Sequence, residues 1–274
     1  MRKGPASQTA ATAAEVEPAP ASEEKRSGPR LNPPVIIHAD EELLVVDKPA
    51  GVLSVHGRGK HPILSDVMKT LGLVPADQPF RIVHRIDLEA SGVIVFARTL
   101  NAQQKLTAQF EARTVEKSYL ALVTGYVATD GEVDLPIEVD EGASKARIDK
   151  RHGKPSKTRY RIIERVAGNT LLECSPETGR LHQIRVHMAA IGHPLAVDSI
   201  YSSSTALMLS TFKPGYRVSS RHEERPLIGR LTLHAARIAF DHPGTGLRVA
   251  YEAPLPRDFR ATLNQLGRLS GPRR

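Results

Sequence analysis

Two polar segments between apolar runs carry the side chains best suited to chemistry. The first is RIVHRIDLEASGVIVFART, residues 81–99. Two strand-like runs flank the insert HRIDLEASG, and Gly92 stands where the chain must turn into the second run. Arg85 and Asp87 therefore fall at a strand end or sharp loop, where a rigid sheet can hold a functional side chain. A surface turn whose Asp caps backbone amides is the plainer alternative. Asp87 and Glu89 together suggest carboxylate-pair glycoside cleavage, but an i, i+2 spacing does not by itself create a pair straddling a bond. The second segment is SPETGRLHQIRVHMAAIGHP, residues 175–194. As a helix it lines up Leu181, Ile184, Met188 and Ile191 on one apolar stripe. Arg185 then lies about 80° from the centre of that stripe and Arg180 about 60° on the other side. A guanidinium beside a core favours a carboxylate partner, unless it snorkels with its head in water; spacing leaves both open. Gly179 suits the turn into the helix, whose free N–H groups would attract an anion.

Several other chemistries lack their residues. The chain has no GxGxxG, GxxxxGK[ST], HExxH or GxSxG pattern. His182 and His187 stand five apart, about 140° round a helix, and are poorly placed to share a metal. The single cysteine, Cys174, excludes an intramolecular disulfide and any multi-cysteine metal site. No metal site is expected, and a reducing cytoplasm is the expected compartment.

The elements that must position these segments show in the pattern. Periodicity predicts helices at about 62–72, 100–112, 180–192 and 256–267. Short β-type runs stand at 35–38 and 43–46, and further strand runs at 82–84, 92–97, 118–127, 156–166, 169–176, 230–240 and 247–253. Val166-Ala167-Gly168-Asn169 reads as a hairpin turn. Strands outnumber helices and many are joined by short turns. The expected fold is therefore α+β, with a mixed, largely antiparallel central sheet flanked by helices around a catalytic cleft. Residues 202–228 form a long polar, basic connection of the kind that is usually functional or mobile.

Residues 1–31 are rich in Ala, Pro, Glu and Ser and hold almost nothing large and apolar, which predicts a disordered tail. One domain is expected over 32–268, with a basic tail at 269–274. The N-terminus has no apolar run of a secretory signal, and charge interrupts every apolar stretch before membrane-spanning length. Lys and Arg exceed Asp and Glu by 38 to 30, a net charge of +8 that suits a polyanionic partner. With no Trp, six Tyr and six Phe, there is little material for a single-strand stacking platform.

The insert HRIDLEASG resembles the HRLDxxTSG signature of the RluA-type pseudouridine synthases. The rest of that family's pattern follows in order: VVDKPAGVLSVH (45–56), EKSYLALVTG (116–125), TGRLHQIRVHMAAIGHPL (178–195) and RLTLHA (230–235). Three positions depart from it: Ile86 for Leu, Ala90 for Thr, and Val197 before Asp198 where Gly is common. None removes a reactive group. The S4-type RNA-binding module some relatives carry has no counterpart here, which leaves RNA selection to the catalytic domain and tails.

The resemblance implies a pseudouridine synthase fold that isomerises uridine in structured RNA, ribosomal RNA first and transfer RNA next. It implies RNA as partner, with no metal and no small-molecule cofactor; no membrane association is expected, and a monomer is the simpler expectation for the oligomeric state, which the sequence leaves open. The N-glycosidic bond breaks, the base reorients and C5 bonds to C1′, so atoms are conserved. By resemblance Asp87 is the catalytic carboxylate and Arg185 its charge partner. Tyr119 stacks on the target base and is the candidate for the C5 proton step, while Leu233 packs against the base. Arg85 fills the space that the flipped base vacates, or binds a phosphate. His84, Arg180, His182 and Gln183 are further RNA contacts. Basic stretches 145–159 and 213–230 suit backbone contact rather than base reading. The alternative is a non-catalytic RNA-binding or ribosome-assembly factor on the same fold, against which intact Asp87, Tyr119 and Arg185 argue.

Overall fold

The computed structural model describes residues 32–56, 60–140, 142, 145–217 and 223–270. The expected tail over 1–31 lies outside the described residues, as do 271–274 and the 218–222 part of the long basic connection.

β1 (Val35–Ala39) and β2 (Leu43–Lys48) form an antiparallel hairpin whose turn is closed by Asp40, which accepts from the amides of Glu42 and Leu43 at 2.8 and 2.7 Å. After α1 (Leu64–Thr70), the short β3 (Arg81–Ile82) leads through a polar loop to β4 (Ser91–Ala97), which pairs with both β2 and β3. β2 and β4 are continuous apolar runs because both faces are covered. Leu43, Val45, Val93 and Val95 face α2 (Leu100–Glu111), while Leu44, Val46, Ile94 and Phe96 meet Leu64 and Met68 of α1. Thr99 caps α2, its hydroxyl accepting from Ala102 N–H at 3.1 Å.

β5 (Glu116–Thr124) is followed by β6 (Gly131–Asp134), β7 (Ile137–Asp140) and β8 (Lys145–Ile148). β9 (Lys157–Val166) and β10 (Asn169–Pro176) then form the expected hairpin, with Ala167 and Gly168 at φ 41° and 74°. Two successive positive φ values give a turn whose twist matches that of the strands. α3 (Gln183–Ala190), the single turn α4 (Leu209–Phe212), β11 (Leu233–Asp241), β12 (Arg248–Glu252) and α5 (Arg257–Leu269) complete the chain. The sheet runs β1-β2-β4-β11-β5-β10-β9-β6, with β12 paired to β11 and β3 to β4; β7 and β8 form a separate pair. Among the described residues β4–β11 is the one parallel strand pair. The mixed, largely antiparallel α+β architecture is the one expected.

Three details differ from the sequence expectations. Strands β6, β7 and β8 stand where no element was predicted. They are four residues each and too polar to show a clear period. The helix expected over 180–192 begins at Gln183, because residues 178–182 form a turn stitched by the Gln183 side chain. The connection 202–228 meets the core at two of its described residues: Leu207 and Ile228 are buried, and Leu207 N–H donates to Ile228 O at 2.9 Å.

Candidate active site

The polar loop between β3 and β4 is held at its backbone. Lys48 is fully buried at the end of β2, and its ammonium donates to the carbonyls of Val52 (2.7 Å), Pro49 (3.0 Å) and Leu88 (3.1 Å). Gly51 N–H also donates to Leu88 O at 2.9 Å. Ser54 Oγ donates to Ile86 O at 2.9 Å and accepts from Ile86 N–H at 3.2 Å. The residues on either side of Asp87 are thus fixed by the VVDKPAGVLSVH segment. Burial pulls the Lys48 pKa down to about 7, with Asp87 opposing the shift. Three carbonyls, each accepting a hydrogen bond from it, also favour the ammonium. Ala90 is fully buried among Ala121, Leu172 and Leu233, so the methyl group in place of the family's threonine fills core.

Arg185 projects from α3 and is 4% exposed. Its Nε and Nη2 donate to the two oxygens of Asp198, both at 2.7 Å, and Nη1 donates to Asp87 Oδ2 at 3.2 Å. The near-core arginine is therefore paired rather than snorkelled. The Tyr201 ring lies 5.1 Å from the guanidinium carbon. Asp198 also accepts from the amides of Ile200 and Tyr201. Burial disfavours charge on both partners. The bonds between them outweigh it, so Arg185 sits above its ordinary pKa and Asp198 below its own.

A cleft of about 710 Å³ opens over this pair, lined by Asp87, Tyr119, Arg180, His182, Arg185 and Leu233 among others. Tyr119 enters from β5, half-buried, and its hydroxyl has no hydrogen-bond partner among the described residues. Burial, reinforced by the Asp87 charge, holds its phenol well above the ordinary tyrosine value. Asp87, Tyr119 and Arg185 thus meet at one cavity, from three elements distant in sequence.

The sequence pattern of RNA pseudouridylate synthases matches residues 42–190. The ribosomal large subunit pseudouridine synthase D of Nitrosomonas europaea is 38% identical over 239 residues, covering 85% of this chain and 65% of that protein. The dual-specificity RNA pseudouridine synthase RluA of Salmonella typhi is 37% identical over 235 residues, covering 81% of this chain and 96% of that one. The chain belongs to the RNA pseudouridylate synthase family. A solved structure, human RNA pseudouridylate synthase domain containing 4, aligns with a TM-score of 0.62 at 25% identity, covering 84% of this chain and 92% of that one. The chain spans 60 to 65% of the length of three curated large-subunit relatives, two of them from Neisseria meningitidis.

The remaining family positions divide by what their polar atoms already do. Arg85 is exposed at the cleft, and neither it nor Arg180 has an ion-pair partner among the described residues. Arg180 Nε is buried with no acceptor. Leu233 is buried at the start of β11. His182 lines the cleft and contacts the Tyr201 hydroxyl through Nδ1 at 3.0 Å. His84 is engaged in the fold: Nε2 accepts from Val95 N–H at 2.9 Å and the ring stacks on Phe110. Burial, with Lys117 adding to it, pushes its pKa down to about 3, so the ring is neutral. The Gln183 amide is also occupied. Its Nε2 donates to Lys157 O and Thr158 Oγ1, and its Oε1 accepts from Thr178 Oγ1 and Arg180 N–H. It shapes the turn that carries Arg180 and His182.

Sequence reasoning missed three residues that hold the lining of this cleft in place: Lys48, Asp198 and Tyr201. For Asp198 a signal existed, since Asp followed by Ser-Ile-Tyr can cap amides two and three residues on. Among the described residues Glu138, Asp149 and His152 also bring possible metal-ligand atoms together, though Arg147 already contacts both carboxylates.

Proposed function

We propose that the chain isomerises specific uridines to pseudouridine in large-subunit ribosomal RNA, acting as a cytoplasmic monomer. The observation that carries this reading is the Asp87–Arg185 contact facing a cleft that Tyr119 and Leu233 also line. The relatives named for the large ribosomal subunit favour ribosomal over transfer RNA as substrate.

A stacked uridine cannot reach such a cleft, so it is flipped out at a cost of roughly a few kcal/mol. Arg85, exposed at the mouth, occupies the vacated stack or grips the backbone. The free base lies between Tyr119 and Leu233. Asp87 directs Oδ2 to Arg185, leaving Oδ1 as the oxygen that meets the nucleotide. The N1–C1′ bond breaks, the base turns, and C5 bonds to C1′; C5 loses its proton and N1 gains one. The phenol of Tyr119 keeps its proton at neutral pH, so it serves as a stacking face and O–H donor. The C5 proton passes to the carboxylate or to water rather than to a standing phenolate.

The test is to incubate the purified protein with transcribed ribosomal and transfer RNAs and map pseudouridine at nucleotide resolution. Wild type forms product at discrete uridines of the large-subunit RNA; Asp87→Asn binds RNA but forms none. Product only in transfer RNA corrects the substrate. Equal product from the mutant removes the mechanism, and product from neither protein favours a non-catalytic assembly factor.

A further inference from the structure

The cleft is larger than one base needs. Its volume of about 710 Å³ falls in the range of roughly 300–1,000 Å³ that holds drug-sized ligands, more than a pyrimidine ring fills. Beyond Tyr119 it continues along β5 to Lys117, because side chains two apart on a strand share a face. Thr107 and Phe110 of α2 wall this second lobe, with Arg113 just past the helix end.

The lobe is rich in cations that lack a carboxylate partner among the described residues. Lys117 is half-buried, and its ammonium donates once, to Thr178 O at 3.3 Å. An ammonium has three donors. Among the described residues no carboxylate lies within ion-pair distance of Lys117, Arg113 or Arg180. Arg180, on the segment whose carbonyl Lys117 holds, has its buried Nε without an acceptor. His84, beside Lys117, is neutral, and the two glutamates of the cleft wall, Glu111 and Glu177, are exposed, with Glu177 paired to Arg159 at 2.8 Å. Burial without a counterion pulls the Lys117 pKa down to about 8. A cation in such a place is completed by an anion that arrives with the ligand.

We propose that this lobe binds a phosphodiester of the RNA strand next to the flipped uridine, with Lys117 as its ligand and Arg113 and Arg180 flanking it. The proposal rests on the cleft accepting a flipped nucleotide, as argued above. Lys117 and Tyr119 are about 6.6 Å apart along the strand, a separation comparable with that between a pyrimidine ring and a phosphate of its own nucleotide. The lobe thereby fixes the sugar of the target in register with Asp87, so its contribution falls on positioning as well as affinity.

The experiment measures binding of a transcribed large-subunit RNA fragment across salt concentrations, for wild type, Lys117→Gln and Lys117→Arg. The glutamine keeps a donor for Thr178 O but no charge. Lys117→Gln should bind about tenfold more weakly and lower the slope of log K against log salt by about one; Lys117→Arg should keep both near wild type. An oligonucleotide scan then places one uncharged methylphosphonate at each linkage in turn. Wild type should lose about tenfold at one linkage adjoining the target uridine, and Lys117→Gln should lose nothing further there. Unchanged affinity and slope in Lys117→Gln, or no penalised linkage beside the uridine in wild type, overturns the proposal. The wild-type scan decides the matter even if the glutamine variant does not fold. A wild type that forms no pseudouridine, yet whose salt slope falls in Lys117→Gln, removes the isomerase reading and leaves the phosphate site standing.

Discussion

Asp198 is the residue on which the proposed chemistry leans without a proposed contact to the nucleotide. It is fully buried, and its two oxygens hold Nε and Nη2 of Arg185 so that Nη1 points at Asp87. Asp198→Asn should lower kcat by at least about tenfold with little change in KM, since the binding cations are elsewhere. It should also destabilise the protein by about 3 kcal/mol, because it leaves a buried guanidinium half-paired. Thermal melting together with steady-state kinetics checks both. The sign with pH follows from the lowered pKa of Asp198. Its contribution is present above the ordinary carboxylate value of about 4 and is lost as pH falls through its lower folded-state value. The acid limb of the stability curve should therefore flatten in Asp198→Asn. At this scale Asp87, Tyr119 and Arg185 were legible as motif positions, and the structure brings them to one cavity. Whether Arg185 was buried was not legible, because helical spacing gives an angle and not what covers it. Lys117 was hidden for the same reason: a lysine two residues from Tyr119 reads as an ordinary strand residue until α2 closes over it.

The elements that hold the loop of Asp87 depend on a close approach between β4 and β11. Gly92 has φ 116°, and a Cβ there would lie 2.2 Å from Ala235 O. Gly92→Ala should cost well above ~3 kcal/mol, since it combines backbone strain with a clash against backbone. The expected outcome is loss of soluble protein or a sharply lowered urea midpoint. Gly168→Ala sets the contrast: it has nothing within 4 Å of its Cβ position, and its φ of 74° leaves only turn strain to oppose the change. The turn expected at Gly92 falls earlier, where Ala90 N–H donates to Asp87 O, and Gly92 is instead the second residue of β4, paired with Lys48. Its approach to β11 was not readable, because that pair is parallel and joins residues 91–92 to 234–235, far apart in sequence. Long apolar or alternating stretches such as β4, β9 and β10 were visible as strands. The four-residue strands β6, β7 and β8 were not, since their identity comes from pairing partners rather than periodicity.

Across the whole molecule the net charge of +8 and the unpaired cations at the cleft predict binding dominated by counterion release. With about six phosphates contacted, affinity for the RNA fragment should fall roughly a thousandfold between 50 and 200 mM salt. A filter-binding titration in that range reads the slope directly, and a shallow slope contradicts the electrostatic part of the account. The polyanionic partner was legible in composition. The distribution of charge was not, because Arg147, Arg159 and Arg161 are matched by acids across neighbouring strands, whereas Arg85, Arg113 and Arg180 stand without carboxylate partners among the described residues.

The account turns on Asp87 acting on a uridine held in the cleft, and C5 must lose its hydrogen each time C5 bonds to C1′. Release of tritium from large-subunit RNA labelled at C5 of uridine therefore counts turnovers. The account predicts release by wild type at one equivalent per modified site, and none by Asp87→Asn at matched RNA occupancy. Equal release by both proteins, or none by a wild type that binds the RNA, would contradict it.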